Sequence, residues 1–161
     1  MRVVSRQLIR ALFENAGPLV ERLEREAPFP STDALIARAR ILLAAMSEIE
    51  RIAVINAHPR IGERPERVKA QSALSYREQG YAGDTTPPVV MAELARLNAL
   101  YEQRFGFRFV VFVNRRPKAD LVPVLEARLA NPRDQEMATA LEEMLAIAAD
   151  RARQAGRPEQ G

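Results

Sequence analysis

The sequence predicts an all-α protein, a single compact bundle-like domain of several helices. Apolar residues recur at intervals of three and four over most of the 161 residues, the spacing that places them on one face of a helix. Serine, proline and glycine separate these runs at positions typical of helix starts and ends. Only the segment from about 107 to 113 has the composition of a strand. A lone strand lacks a partner, so we expect an extended, buried segment or one that pairs across a dimer axis.

Two short helices are predicted at the start of the chain. Ser5 is a cap residue for the first, which runs to Asn15 and closes at Gly17. Pro18 suits the first turn of a second helix, which must end before Pro28.

The next two helices lead to the single histidine of the chain. One covers Asp33 to about Met46. Ser47 and Glu50 then form a capping-box pattern, in which serine oxygen and glutamate carboxylate satisfy each other's backbone amides. The helix that begins there delivers His58, where a proline stops the pattern.

The second half predicts a loop over 60–65, a helical stretch to Tyr81 that stops at Gly83, and a helix from Thr86 to Phe105. A final long helix begins at 131–132, an asparagine cap before a proline, and runs to Ala155. We expect one domain over 1–155 and a mobile tail over 156–161.

Composition narrows the classes of function. With no cysteine and one histidine, the chain has no thiolate nucleophile and is a poor candidate for a zinc site, so we expect no metal. No apolar run approaches the roughly 18 residues of a membrane span, and we expect a cytoplasmic protein. The net charge of +3 comes from arginines spread among acidic residues, which gives little indication of nucleic-acid binding.

Three ionisable side chains fall on apolar helical stripes. His58 follows Val54 by four residues, Glu78 lies three residues before Tyr81, and Arg151 continues a stripe of the last helix. Together they predict a small pocket that can hold an anion and move a proton. Structural alternatives are a helix-end cap for His58, an ion pair for Glu78, and a stem-packed arginine with its head in water for Arg151.

Several motifs in order resemble the decarboxylases of uric acid degradation that act on 2-oxo-4-hydroxy-4-carboxy-5-ureidoimidazoline (OHCU). They are Ala57-His58-Pro59-Arg60-Ile61-Gly62, Ser75-Tyr76-Arg77-Glu78-Gln79 followed by Ala82-Gly83, Leu97-Asn98 with Tyr101, Arg104-Phe105-Gly106-Phe107, and 109–113. The likeness continues to Arg151 and covers about Leu12 to Arg151. It departs after the His-Pro pair, where many members have an acidic residue and this chain has Arg60, a variant associated with bacterial members.

The resemblance implies a cofactor-free, all-helical, homodimeric carboxy-lyase that forms (S)-allantoin from its small-molecule substrate. It implies that His58 is the proton donor and that Arg151 contacts the polar periphery of the ligand. From the chemistry of the reaction we expect His58, Glu78 and Arg151 to form the catalytic set. The substrate-binding residues it implies are Pro59, Ser75, Tyr76, Arg77, Glu78, Gln79, Phe109, Val110, Val111, Phe112 and Val113.

Other interpretations remain open at this level. The chain could be a non-catalytic helical module for protein or nucleic-acid interaction, or a lyase or hydrolase that acts on another fragment of the purine ring. The sequence also leaves open whether His58 or Glu78 makes the proton transfer that sets the stereochemistry.

Overall fold

The structure, a computed structural model, describes residues 3–14, 16–81 and 85–156, and this part of the chain forms nine α-helices. Their bounds are α1 Arg6–Leu12, α2 Gly17–Glu26, α3 Thr32–Ala45, α4 Glu48–Asn56, α5 Pro65–Gln71, α6 Ala73–Glu78, α7 Pro88–Phe105, α8 Lys118–Leu129 and α9 Arg133–Ala155. Within the described residues the only β-type pairing is an isolated bridge between Val4 and Phe29. The all-α prediction is therefore confirmed. No helix in these ranges is long and apolar enough to cross a membrane.

Serine caps set several helix starts as the sequence indicates. The Ser5 hydroxyl accepts a hydrogen bond from the amide of Leu8 at 3.2 Å and begins α1. The capping box is confirmed, since Ser47 Oγ accepts from Glu50 N and Glu50 Oε1 accepts from Ser47 N, both at 3.2 Å. This box fixes the start of α4, the helix that precedes His58 in the chain.

The prediction of one helical stretch from 65 to 81 is wrong, because Ser72 divides it into α5 and α6. Ser72 has an extended backbone, with φ −158° and ψ 114°, that cannot continue a helix. Its hydroxyl accepts from the amide of Ser75 at 2.9 Å and so caps the second helix. The predicted stop at Gly83 lies outside the described residues.

Helix α8 has no counterpart in the predicted elements. Pro117 stands at its N-cap and Pro123 lies inside it, so two residues that usually end helices obscure its pattern. Leu121 and Leu125, spaced by one turn, are nevertheless both fully buried. The final helix begins at Arg133, close to the predicted start.

The chain divides into two compact units, one made of residues up to Ala57 and from Leu141 onward, the other of His58 to Ala140. The first unit buries aliphatic side chains such as Leu19, Leu35 and Val54. The second has an aromatic core of Tyr101, Phe105, Phe107 and Phe109, with ring centroids between 4.6 and 6.0 Å apart. That 1–155 is one domain stays a prediction, and the expected tail lies outside the described residues except for Gly156.

The segment 107–113, here called the connector, is extended and buried in the second unit, as one of the two sequence alternatives expects. Arginine side chains donate hydrogen bonds to its carbonyl groups, which in a sheet would accept from the amides of a neighbouring strand. Arg128 donates to Val110 O at 2.6 Å, and Arg116 donates to Phe112 O at 2.6 Å and to Val113 O at 3.0 Å. Burial of these polar groups is thus compensated without a sheet.

Candidate active site

His58 lies two residues beyond the end of α4, in a loop over 58–63 that has no regular secondary structure. The residue is partly exposed, its Nδ1 atom is buried, and Pro59 after it is buried. A loop of this kind holds a catalytic side chain in place only if its backbone is fixed by other parts of the protein. The bonds that fix it come from three places in the second unit.

Two uncharged amide side chains hold the middle of the loop. Gln79 Oε1 accepts from Gly62 N at 3.0 Å, while Gln79 Nε2 donates to Arg60 O at 3.2 Å. Asn98, 3% exposed on α7, donates to Ile61 O at 2.7 Å. The carbonyl of Glu63 accepts from the hydroxyl of Tyr81. The loop is therefore bound on both sides along its length.

Gly62 has a backbone conformation that other residues rarely adopt. Its φ is +78°, and a Cβ atom added to it would lie 3.0 Å from the Cβ of Leu94. Glycine therefore allows both the left-handed turn and the close approach of the loop to α7.

We expect Gly62→Ala to reduce the free energy of unfolding by about 1–2 kcal/mol, since it adds left-handed strain and a close contact. Turnover should fall as well, because the loop that carries His58 must shift. Urea unfolding and steady-state assays measure the two effects. Gly80→Ala is the matched control: φ there is +79°, but nothing lies within 4 Å of the added Cβ, so it isolates the backbone strain from the contact. Equal effects of the two substitutions would contradict a role for the Leu94 contact.

The loop carries a charged cluster at its surface. Arg60 makes a two-pronged ion pair with Glu102, at 2.7 and 3.0 Å, and a longer one with Glu63 at 3.4 Å. The hydrogen bonds to Glu102 raise the pKa of Arg60. A groove of about 440 Å³ runs beside these residues, between the loop and α7. Arg60, the residue at which the sequence departs from the resemblance described above, thus binds the loop to α7.

Arg108 contacts His58 itself. Its Nη1 donates to the backbone carbonyl of His58 at 3.1 Å. Burial, followed by the neighbouring charge of Arg60, lowers the pKa of Arg108. The start of the connector is in this way joined to the loop.

The residues of α6 that are predicted to bind substrate differ in their exposure to solvent. Ser75 is 7% exposed, Glu78 is partly buried, and Arg77 is exposed. The Tyr76 ring lies 5.6 Å from the Tyr81 ring and beneath the ammonium group of Lys69. Gln79, the residue after α6, joins this helix to the loop. Both ends of its side-chain amide are hydrogen-bonded to the backbone of the loop.

In the connector, Phe109, Val110, Val111 and Val113 are buried and Phe112 is partly exposed. The Phe109 ring stands edge-on to Tyr101 at 5.4 Å, with the Arg128 guanidinium 4.5 Å from its centre. The connector backbone, which is predicted to contact the substrate, is fixed in two ways. The Arg108 side chain bonds to the His58 carbonyl, and Arg128 and Arg116 bond to connector carbonyls.

Arg151 belongs to the first unit, whereas the other predicted site residues lie in the second. It is 6% exposed, and its Nη1 donates to the carbonyl of Leu12, the last residue of α1, at 3.0 Å. A buried guanidinium is thus present on the stripe where the sequence placed one, bound to the end of a helix.

Sequence reasoning missed the side chains that hold the loop, namely Tyr81, Asn98, Glu102 and Arg108. A signal existed for Asn98, because an amide on the apolar stripe of Leu94, Leu97 and Tyr101 needs a buried partner. Arg108 stands in a run of apolar residues and offered the same signal.

The model of the OHCU decarboxylase family matches residues 4–153 of this chain. A 2-oxo-4-hydroxy-4-carboxy-5-ureidoimidazoline decarboxylase of Halalkalicoccus jeotgali is 30% identical over 151 residues, which cover 93% of this chain and 84% of the relative. A uric acid degradation bifunctional protein of Bacillus subtilis is 32% identical over 139 residues, 86% of this chain and 27% of that longer protein.

The fold is also similar to a solved structure. A crystal structure of OHCU decarboxylase in the presence of (S)-allantoin superposes with a TM-score of 0.71, at 23% identity, over 92% of this chain and 96% of that one. At this identity the likeness bears on the fold alone, and it agrees with the helical architecture described above.

Proposed function

Because the chain belongs to the OHCU decarboxylase family, we propose that it decarboxylates OHCU to (S)-allantoin in uric acid degradation, with His58 as the proton donor. The observation that carries the proposal is the family match over residues 4–153, which includes His58 and the loop that fixes it. The relatives named for this reaction support the same substrate.

The substrate supplies its own electron sink. Carbon 4 of OHCU bears the hydroxyl and the carboxylate, and carbon 5 bears the ureido group beside the imine nitrogen. When CO2 leaves, the electron pair of the broken bond forms a double bond between carbons 4 and 5, and the imine nitrogen takes up a proton. Protonation of carbon 5 on one face, with loss of the hydroxyl proton, gives allantoin of one hand. No cofactor is needed for this sequence of steps.

The protein must orient the carboxylate, stabilise the developing anion and deliver the proton to one face. A histidine suits the last task because its ordinary pKa, about 6.5, lies close to neutral pH. We assign the proton transfer to His58, the orientation of His58 or of the substrate hydroxyl to Glu78, and an electrostatic role to Arg151.

We assign substrate binding to Pro59, to the run Ser75–Gln79 and to the connector residues Phe109–Val113. Ser75 is polar and buried, which suits a group that hydrogen-bonds a ligand shielded from water. Gln79 is also buried, but its amide binds the loop backbone, so we assign it the task of holding the loop beside the substrate. The carbonyl groups of Val110, Phe112 and Val113 already accept hydrogen bonds from arginines. We therefore propose that the substrate ring contacts the other backbone groups of the connector.

We also propose a cytoplasmic homodimer, as the resemblance implies. Sedimentation of the purified protein tests the second part of this proposal: a single species near 36 kDa, twice the 18.0 kDa of one chain, supports it, and one near 18 kDa contradicts it.

The activity is tested by making OHCU in place from urate with urate oxidase and hydroxyisourate hydrolase, and following circular dichroism. Spontaneous decay gives racemic allantoin and no lasting signal. We expect the protein to produce the (S)-allantoin signal rapidly. An unchanged racemic outcome with folded protein would contradict the proposed function.

A further inference from the structure

The backbone of His58 is held by a charged side chain 50 positions further along the chain, where Arg108 Nη1 donates to the His58 carbonyl at 3.1 Å. His58 lies just past the last turn of α4, a place where carbonyl groups have no partner within the helix. We propose that Arg108 is a positioning residue, which fixes the backbone at His58 and thereby the direction of its imidazole. The inference rests on the function proposed above, in which that imidazole donates the proton.

The side chains that donate to the loop carbonyls differ in charge, and this difference supports the assignment. The carbonyl groups of Arg60 and Ile61 are bound by the neutral amides of Gln79 and Asn98. The carbonyl of His58, in contrast, is bound by a guanidinium at 3.1 Å, and hydrogen bonds from charged donors are roughly twice as strong as neutral ones. A charged donor to the loop backbone therefore stands at the residue to which the proton transfer is assigned.

The surroundings of Arg108 indicate a specific role for its charge. The guanidinium is partly buried and near Arg60, and both conditions disfavour a cation, as the lowered pKa of Arg108 reflects. A position that disfavours charge yet holds an arginine needs a compensating interaction. The nearby carboxylates of Glu102 and Glu63 and the bond to the His58 carbonyl are such interactions, and of these only the bond reaches the backbone of His58.

The other anchors make the proposal testable without unfolding the loop. In Arg108→Ala, the bonds from Gln79 and Asn98 to residues 60–62 remain, so the loop should stay folded while His58 gains freedom. Misplacement of a catalytic group by about 1 Å can reduce a rate 100-fold. We therefore expect a fall in kcat of roughly 10- to 100-fold with KM changed by less than about threefold.

Two further measurements separate positioning from general stability. Arg108→Lys keeps a cation but loses the planar fork, and it should fall between wild type and alanine. Added guanidinium ion should partly restore kcat in Arg108→Ala, whereas sodium chloride at the same ionic strength should not. Arg133→Ala is the matched control, because Arg133 also donates to a carbonyl, that of Phe105 at 3.0 Å, which belongs neither to the loop nor to the proposed site. Its kcat should stay within about twofold of wild type.

A readout independent of activity comes from the single histidine of the chain. In protein without a histidine tag, every imidazole NMR signal belongs to His58. We expect Arg108→Ala to move and broaden these signals and Arg133→Ala to leave them in place. Unchanged signals, or an unchanged kcat in an active enzyme, would overturn the inference. A wild type that leaves allantoin racemic would instead overturn the proposed function, while the NMR result still decides whether Arg108 holds His58.

Discussion

His58→Asn should lose turnover of OHCU by roughly 100- to 10,000-fold, the range that a positioned general acid contributes to a rate. Asparagine is polar and smaller than histidine, and it cannot exchange a proton near neutral pH. The bond from Arg108 goes to the backbone carbonyl of residue 58, so it does not depend on the side chain that is replaced. The variant should therefore fold and keep the loop in place, which a thermal unfolding scan verifies.

Two measurements on this variant and on Glu78→Gln address the alternative left open by the sequence. Loss of OHCU reports decarboxylation, and the enantiomeric excess of allantoin reports protonation. If His58 makes the stereo-determining transfer, the allantoin that His58→Asn forms above the spontaneous background is racemic, while the allantoin that Glu78→Gln forms above that background is still the (S) form. A folded His58→Asn variant that forms (S)-allantoin at the wild-type rate would exclude His58 as the proton donor.

The fold was largely predictable because its signals are local. The capping box of Ser47 and Glu50 lies within four residues, and the side chains that cap a helix are read directly from the sequence. The helix that was missed, α8, shows the limit of local signals. Pro123 disfavours a helix, but α8 forms around it because Leu121 and Leu125 are buried on one face of the helix.

The sequence offers candidate residues for the site, which stay predictions, but their arrangement could not be predicted from it. His58, Glu78 and Arg151 could be selected as polar groups on apolar stripes. The bonds that fix the loop join side chains to backbone carbonyls across 37 positions for Asn98 and 50 for Arg108. Every residue has a backbone carbonyl group, so the sequence does not indicate which of them a distant side chain binds. Such a partner can be identified only in the folded structure.

The break at Ser72 illustrates the same point for a helix. Serine is tolerated within helices and is also a good cap, so the sequence alone does not decide between the two roles. In the structure, its hydroxyl caps α6, and the turn that results places Gln79 against the loop. A local choice that the pattern could not resolve thus positions one of the anchors of the site.

The largest expected effect on stability concerns the buried ion pair of the second unit. Arg128 Nε lies 2.8 Å from Glu136 Oε1, and their side chains are 9% and 0% exposed. Tyr101 and Asn131 also donate to this carboxylate, at 2.6 and 2.8 Å. Arg128→Met should reduce the free energy of unfolding by about 3–5 kcal/mol, because it leaves a buried carboxylate without its cation. It also removes the donor to Val110 O and so loosens the connector.

Urea unfolding measures this loss, and a second substitution identifies its cause. Adding Glu136→Gln to Arg128→Met removes the lone buried charge while retaining an acceptor for Tyr101, so part of the lost stability should return. Arg40→Met is the control, since Arg40 also pairs with a glutamate, Glu142, at 2.8 and 3.0 Å, but both side chains are 54% exposed. It should leave the urea midpoint unchanged within error. If Arg128→Met shifted the midpoint no more than Arg40→Met, burial of the pair would contribute nothing to the stability of this unit, and the connector would have to be held by its aromatic packing and the bonds from Arg116.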